Sequence, residues 1–131
     1  MSTVKLLEDH ELSPQARAVF DDIRATRQTD YVNNFWRSLA HDPAALTRTW
    51  ESLKAIMGPG ALSPKVKEMI YIAVSVAHGC EYCIHSHTAS ARAKGMTEEE
   101  YHEMLAIIGM AAETNRLATA LGTPVDTSYR I

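Results

Sequence analysis

Three polar residues followed at once by proline, at Ser13-Pro14, Asp42-Pro43 and Ser63-Pro64, constrain the fold of this chain more than any other feature. A Ser or Asp N-cap accepts a hydrogen bond from a free amide of the first helical turn. Proline is tolerated at the next position because its missing N–H would have no partner inside the helix. Each pair therefore predicts the start of a helix, and apolar residues at helical spacing follow all three.

Glycines mark the predicted ends of the helices, at Gly58, Gly79, Gly95 and Gly122. A capping box formed by Thr97 and Glu100 opens the last helix, and a further amphipathic stretch covers residues 31–39. These boundaries predict an all-α fold of about six helices. We expect a single domain over residues 1–131, with residues 1–12 as a flexible N-terminal segment.

Charge and hydropathy exclude several classes of protein. The net charge of −3 leaves no basic excess for binding nucleic acid. The longest apolar run, Ile70–Ala77, is interrupted by Ser75 and is far shorter than the roughly 20 residues that a bilayer requires. Residues 1–12 have no signal-peptide pattern. We therefore expect a cytoplasmic protein with neither nucleic acid nor a membrane as its partner.

The segment from Glu68 to His87 carries the chemistry, because it contains both cysteines, Cys80 and Cys83. Cysteines separated by two residues can close a disulfide where a turn leads into a helix, and that helix start favours a thiolate. His87 lies one turn after Cys83 on the same face, where it can take the thiol proton. Antiparallel helices would leave Glu68 and His87 offset by about 8 Å along the axis, which two long side chains can span.

The pattern Glu68-x11-Cys80-x2-Cys83-x3-His87 resembles the signature of AhpD-like alkylhydroperoxidases in the carboxymuconolactone decarboxylase superfamily. The resemblance implies a helical bundle assembled as a homo-oligomer built on trimers, as a trimer or hexamer. It also implies a peroxidase that uses a redox-active disulfide, with peroxide as substrate and an external dithiol as reductant. No bound cofactor or metal is expected. The decarboxylase branch is similar in fold only, since it lacks the cysteine pair.

Transferred to this sequence, the resemblance makes Cys83 the peroxide-attacking thiolate and Cys80 the resolving thiol. His87 and Glu68 then form the relay that removes the Cys83 proton. The best-known alkylhydroperoxidases have a second histidine immediately before the second cysteine, where this chain has Tyr82. Tyrosine is a poor base near neutral pH.

Other side chains and functions remain open at this stage. Tyr82 and His78 are candidates for the wall of the site, and His85 is expected at the surface. One alternative function is a non-enzymatic redox-sensing or disulfide-exchange subunit. Another is a zinc-binding module, since two cysteines and two histidines are zinc-type ligands; these are Cys80, Cys83, His85 and His87.

Overall fold

The computed structural model describes residues 1–130 and has six α-helices with no strand among those residues. Two short 3-10 turns, Asp9–Glu11 and Thr127–Tyr129, lie outside the helices. The prediction of an all-α fold with about six helices is confirmed. The helices are α1 Pro14–Arg27, α2 Asn34–Leu39, α3 Pro43–Met57, α4 Pro64–His78, α5 Glu81–Ala93 and α6 Glu98–Leu121.

The predicted caps are present at the helix starts. Ser13, Asp42 and Ser63 each accept a hydrogen bond from the amide three residues later. Thr97 and Glu100 form the expected reciprocal capping box at the start of α6. Local side-chain hydrogen bonds therefore fix the starts of α1, α3, α4 and α6.

The chain divides into two compact units, Met1–Gly58 and a second that begins at Pro59. The first unit contains α1 to α3, and its apolar core includes Phe20, Trp36 and Trp50. The two indole rings meet edge to face with centroids 5.5 Å apart, an arrangement that favours the aromatic quadrupoles. This unit therefore has its own buried core.

The N-terminal residues contact the first unit through apolar side chains and one carboxylate. Leu7 and Leu12 pack against the core of the first unit. Asp9 accepts hydrogen bonds from the guanidinium groups of Arg24 at 2.6 Å and Arg37 at 3.1 Å. These contacts could not be predicted from local patterns, because the two arginines lie in later helices.

The second unit contains α4 to α6, and its core is formed by Ile72, Ala91, Met96 and Met104. Gly79 ends α4 with a left-handed backbone (φ 68°), and α5 begins two residues later. The glycine thereby allows the chain to reverse at once, and α4 and α5 pack more extensively than any other two helices.

The C-terminal half of α6 is far more exposed than its first half. Met104 is buried, but every residue from 113 to 130 is exposed. The predicted apolar side of this helix therefore meets the core over its first turns only. Despite its 24 residues, α6 is not apolar enough to cross a membrane, and no other helix within residues 1–130 is a candidate span.

Candidate functional site

A buried carboxylate lies at the centre of the interface between α4 and α5. Only 5 % of the Glu68 side chain is exposed, and three side chains of α5 and its C-cap donate to it. His87 Nδ1 lies 2.7 Å from Oε2, and Ser90 Oγ lies 2.9 Å from Oε1. Lys94 Nζ forms an ion pair with the same Oε1 atom. Every charge-bearing atom of this carboxylate is thus satisfied, as burial requires.

These contacts fix the ionisation of Glu68 and the tautomer of its histidine partner. Burial raises the pKa of Glu68, but the hydrogen bonds from His87, Lys94 and Ser90 outweigh it and lower that pKa to about 2. The group is therefore a carboxylate at neutral pH and can only accept hydrogen bonds. Consequently Nδ1 of His87 carries a proton, and Nε2 of the neutral ring is left as the acceptor.

Tyr71 lies one turn after Glu68 on α4, and its ring packs on one face of the His87 imidazole. The rings of Tyr71 and His87 are stacked with centroids 3.6 Å apart and an interplanar angle of 20°. Burial and the nearby Cys83, Glu68 and Cys80 charges raise the pKa of the Tyr71 phenol. The phenol thus stays protonated at neutral pH, and the imidazole is held both at Nδ1 and across its face.

The two cysteines lie at the N-terminus of α5, as predicted. Cys80 is the N-cap residue, and its Sγ accepts a hydrogen bond from the Cys83 amide at 3.3 Å. Both residues are free thiols and both are half-buried. Cys80 therefore sits where the free amides and the positive end of the helix dipole favour a negative sulfur.

The geometry of the reduced thiol pair favours ionisation of Cys80, while attack by Cys83 stays a prediction. Hydrogen bonds from the Cys83 thiol and amide lower the pKa of Cys80. Burial and the neighbouring Cys80 sulfur raise the pKa of Cys83 to about 11. Within residues 1–130, the His87 ring makes no hydrogen bond to the Cys83 thiol. The N-cap position of Cys80 and the hydrogen bond from the Cys83 amide thus favour the first negative charge of the reduced pair on Cys80.

The remaining candidates lie at the end of α4 and in the first turns of α5. His85 is exposed, as expected, and so is His78 at the end of α4. Tyr82 is 41 % exposed in the first turn of α5, between the cysteines in sequence. In the part of the chain that the structure describes, no three His, Cys, Asp or Glu side chains converge as they would to hold a metal ion. The geometry thus gives the zinc alternative no support.

Three side chains that were not predicted contact the predicted residues: Tyr71, Ser90 and Lys94. A signal for two of them was present, because Ser90 and Lys94 follow His87 by three and seven residues. Those spacings place them on the same face of α5 as the histidine. The stacked Tyr71 lies three residues after Glu68, which is the corresponding spacing on α4.

Comparison with solved structures supports this architecture. The crystal structure of the alkylhydroperoxidase AhpD core from Rhodospirillum rubrum is 60 % identical in sequence and superposes with a TM-score of 0.96. The match covers 100 % of this chain and 98 % of that one. The agreement thus extends over the whole chain, including both compact units.

Two further proteins are similar to this chain in sequence, and a family model matches it. An uncharacterized protein from Cupriavidus necator is 35 % identical over 82 residues, which are 63 % of this chain and 73 % of that protein. Uncharacterized protein 4 in the cox locus of Paracoccus denitrificans is 35 % identical over 52 residues, 40 % of this chain and 47 % of its own length. The model of the carboxymuconolactone decarboxylase family matches residues 43–124, from the start of α3 to just beyond α6. On this match, which spans well over half of the sequence, the chain belongs to the carboxymuconolactone decarboxylase family.

Proposed function

We propose that this protein is a thiol-dependent peroxidase that reduces hydroperoxides through a disulfide cycle between Cys80 and Cys83. One observation carries the proposal. Two free thiols occupy the start of the same helix whose next turns hold a histidine against a buried carboxylate. The similarity to an alkylhydroperoxidase AhpD core supports the same class of reaction.

In the proposed first step, the cysteine pair gives one proton to Nε2 of His87, and Glu68 stabilises the resulting imidazolium through Nδ1–H. The remaining proton moves between the two sulfurs, from Cys83 to Cys80, which turns Cys83 into the attacking thiolate. Their hydrogen bond provides the route for this transfer. A negative charge that rests on Cys80 is therefore compatible with attack by Cys83, because proton transfer between the two sulfurs moves the charge to Cys83.

In the second step, the Cys83 thiolate attacks the terminal oxygen of the hydroperoxide and the O–O bond breaks. Cys83 becomes a sulfenic acid, and the alkoxide takes the proton of the His87 imidazolium to leave as an alcohol. The Cys80 thiol then attacks the Cys83 sulfur, forming the disulfide and releasing water. An external dithiol reduces this disulfide to two thiols and is itself oxidised to a disulfide.

Single-cysteine variants test the cycle and the order of attack. We expect Cys83→Ser to abolish dithiol-dependent peroxide consumption. We expect Cys80→Ser, treated with one equivalent of cumene hydroperoxide, to accumulate a sulfenic acid that a dimedone probe labels. His87→Asn serves as the variant that keeps both thiols but lacks the base. Full turnover in Cys83→Ser would overturn the proposed cycle, and sulfenic acid in Cys83→Ser alone would assign the attack to Cys80.

The second candidate function is a redox-sensing subunit without turnover, and the N-cap role of Cys80 favours it specifically. A disulfide to Cys83 would turn the Cys80 sulfur into a neutral and poorer acceptor for the Cys83 amide, so oxidation would perturb the start of α5. Light-scattering masses of the oxidised and reduced protein distinguish the two functions. A mass that changes with oxidation, in the absence of peroxide consumption, would support the sensor.

We further propose that the chain forms a homo-oligomer of the trimer-based kind implied by the family. Exposed apolar side chains repeat at helical spacing on α4, where they are Val66, Ile70 and Val74. The exposed half of α6 adds Met110 and Leu117. A helix end that makes no core contact has marginal stability in water. We therefore infer that a second copy of the chain covers these apolar faces of α4 and α6. Size-exclusion chromatography with light scattering tests this: a monomer at micromolar concentration would contradict it.

A further inference from the structure

We propose that Lys94 is a positioning residue that keeps His87 neutral by sharing the charge of Glu68, so that the imidazole remains able to accept a thiol proton. The mechanistic part of this inference rests on the proposed peroxidase function. The structural part, the control of His87 protonation by Lys94, does not.

The two oxygens of the Glu68 carboxylate bind different donors. Lys94 and Ser90 both bind Oε1, whereas His87 alone binds Oε2. The carboxylate is buried, but the lysine reaches it from a side chain that is 36 % exposed. A full positive charge is therefore supplied to a buried anion without a second charge being buried completely.

The positive charge of Lys94 affects the protonation state of His87. With Lys94 absent, the imidazole would be the one titratable donor to Glu68 left within residues 1–130, and an imidazolium would be favoured. An imidazolium has no free lone pair at Nε2 and cannot take a proton. With Lys94 present, the carboxylate is already compensated, so His87 needs to supply a hydrogen bond at Nδ1 and no charge.

The other titratable groups around His87 remain the same whether or not Lys94 is present. Tyr71 of α4 stacks on the ring, and the Cys80–Cys83 pair lies at the start of α5. From α6, which packs against α4, Tyr101 borders the adjacent apolar cluster. A change at Lys94 is thus isolated from these groups.

The experiment is an NMR pH titration of the histidine rings in the reduced, full-length protein, with His87→Asn used to assign the signal among six histidines. We expect Lys94→Met to move the His87 midpoint upward by about one pH unit, the lower end for loss of an adjacent charge. Lys94→Gln should give the same shift and provides a second neutral variant should Lys94→Met fold poorly. Lys94→Arg should stay within a few tenths of a unit of the parent.

Arg92→Met is the matched control, because it removes a cation from the same helix that pairs with Glu98 and not with Glu68. We expect its effect on His87 to be small. Peroxide kinetics give the second readout: at the parent midpoint the neutral fraction in Lys94→Met falls from one half to about one tenth. The rate there should fall about fivefold, while the plateau at higher pH is retained.

The possible outcomes separate the two proposals. An unchanged or lowered midpoint in both neutral variants would overturn the role of Lys94, and so would an arginine variant that behaves like them. A loss of rate that is equal at all pH values would indicate a merely structural lysine and would also overturn it. If the parent protein consumes no peroxide, the proposed function fails, yet the NMR shift still decides the assignment of Lys94.

Discussion

Replacing Glu68 by glutamine tests whether the buried carboxylate stabilises the second unit through its charge. Glutamine keeps the size and the carbonyl acceptor of the side chain but removes the negative charge. The hydrogen bond from His87 Nδ1 can survive, whereas the ion pair with Lys94 cannot. The substitution therefore isolates the electrostatic part of the interaction.

The size of the effect follows from the pKa of Glu68, which falls from an ordinary value of 4.5 to about 2 on folding. Each unit corresponds to about 1.4 kcal/mol, so the charged form stabilises the folded state by about 3 kcal/mol. Because the folded pKa is the lower one, this stability is fully present above pH 4.5 and is lost as the pH falls toward 2. Glu68→Gln should accordingly cost about 3 kcal/mol at pH 7 and little at pH 2.

The assay must report on the second unit, and tryptophan fluorescence does not, because Trp36 and Trp50 both lie in the first. We therefore choose urea unfolding followed by far-UV circular dichroism, together with hydrogen exchange of the α4 and α5 amides. Glu98→Gln is the control, since its carboxylate pairs with Arg92 at the surface. Exposed pairs contribute little, so a much smaller loss is expected there.

The free energies of unfolding of the parent and Glu68→Gln, compared at two pH values, test whether the Glu68 charge stabilises the fold. A free energy of unfolding that drops equally at pH 7 and pH 2 would mean that Glu68 contributes by packing alone. An undiminished free energy at pH 7 would mean that the ion pair and hydrogen bonds only repay the cost of burial. Either result would refute the reasoning from the lowered pKa.

Three smaller predictions concern the contacts around this carboxylate and the start of α6. Ser90→Ala removes one donor to Glu68 and should lower stability at pH 7 by about 1 kcal/mol in the same urea assay; equal stability would contradict the contact. Tyr71→Leu should reduce peroxide turnover about fivefold because His87 loses its stacking partner, whereas Tyr71→Phe should retain it. Thr97→Ala breaks the capping box and should cost about 1 kcal/mol, with Thr97→Ser close to the parent.

Helix boundaries could be predicted because the interactions that set them are local. The cap at Ser63 involves the amide of Val66 and nothing outside the first turn of α4. The left-handed end at Gly79 likewise depends on one residue. In contrast, the amphipathic stretch predicted over residues 31–39 included Tyr31, which is 66 % exposed and precedes α2. Periodicity alone could not separate a helix from the extended residues that lead into it.

The relative acidity of the two thiols could not be predicted from their spacing. Spacing puts Cys83 and His87 on one face of α5, which favours proton transfer between them. It does not reveal that Cys80 is the N-cap residue whose sulfur accepts the Cys83 amide. That assignment depends on the residue at which the helix begins, and a shift of one residue would change which sulfur meets the helix dipole.

The contact between Glu68 and His87 shows what sequence spacing can establish when burial is added to it. Cys83, His87, Ser90 and Lys94 follow one another at intervals of four, three and four residues, a stripe along one face of α5. Such a stripe facing α4 would be unstable unless a buried group there paired with it, because unpaired buried polar groups are costly. Glu68 is that group, so its position on α4 and the identity of residue 94 are physically linked: a carboxylate without the lysine would draw a proton onto the histidine, and a lysine without the carboxylate would turn to solvent.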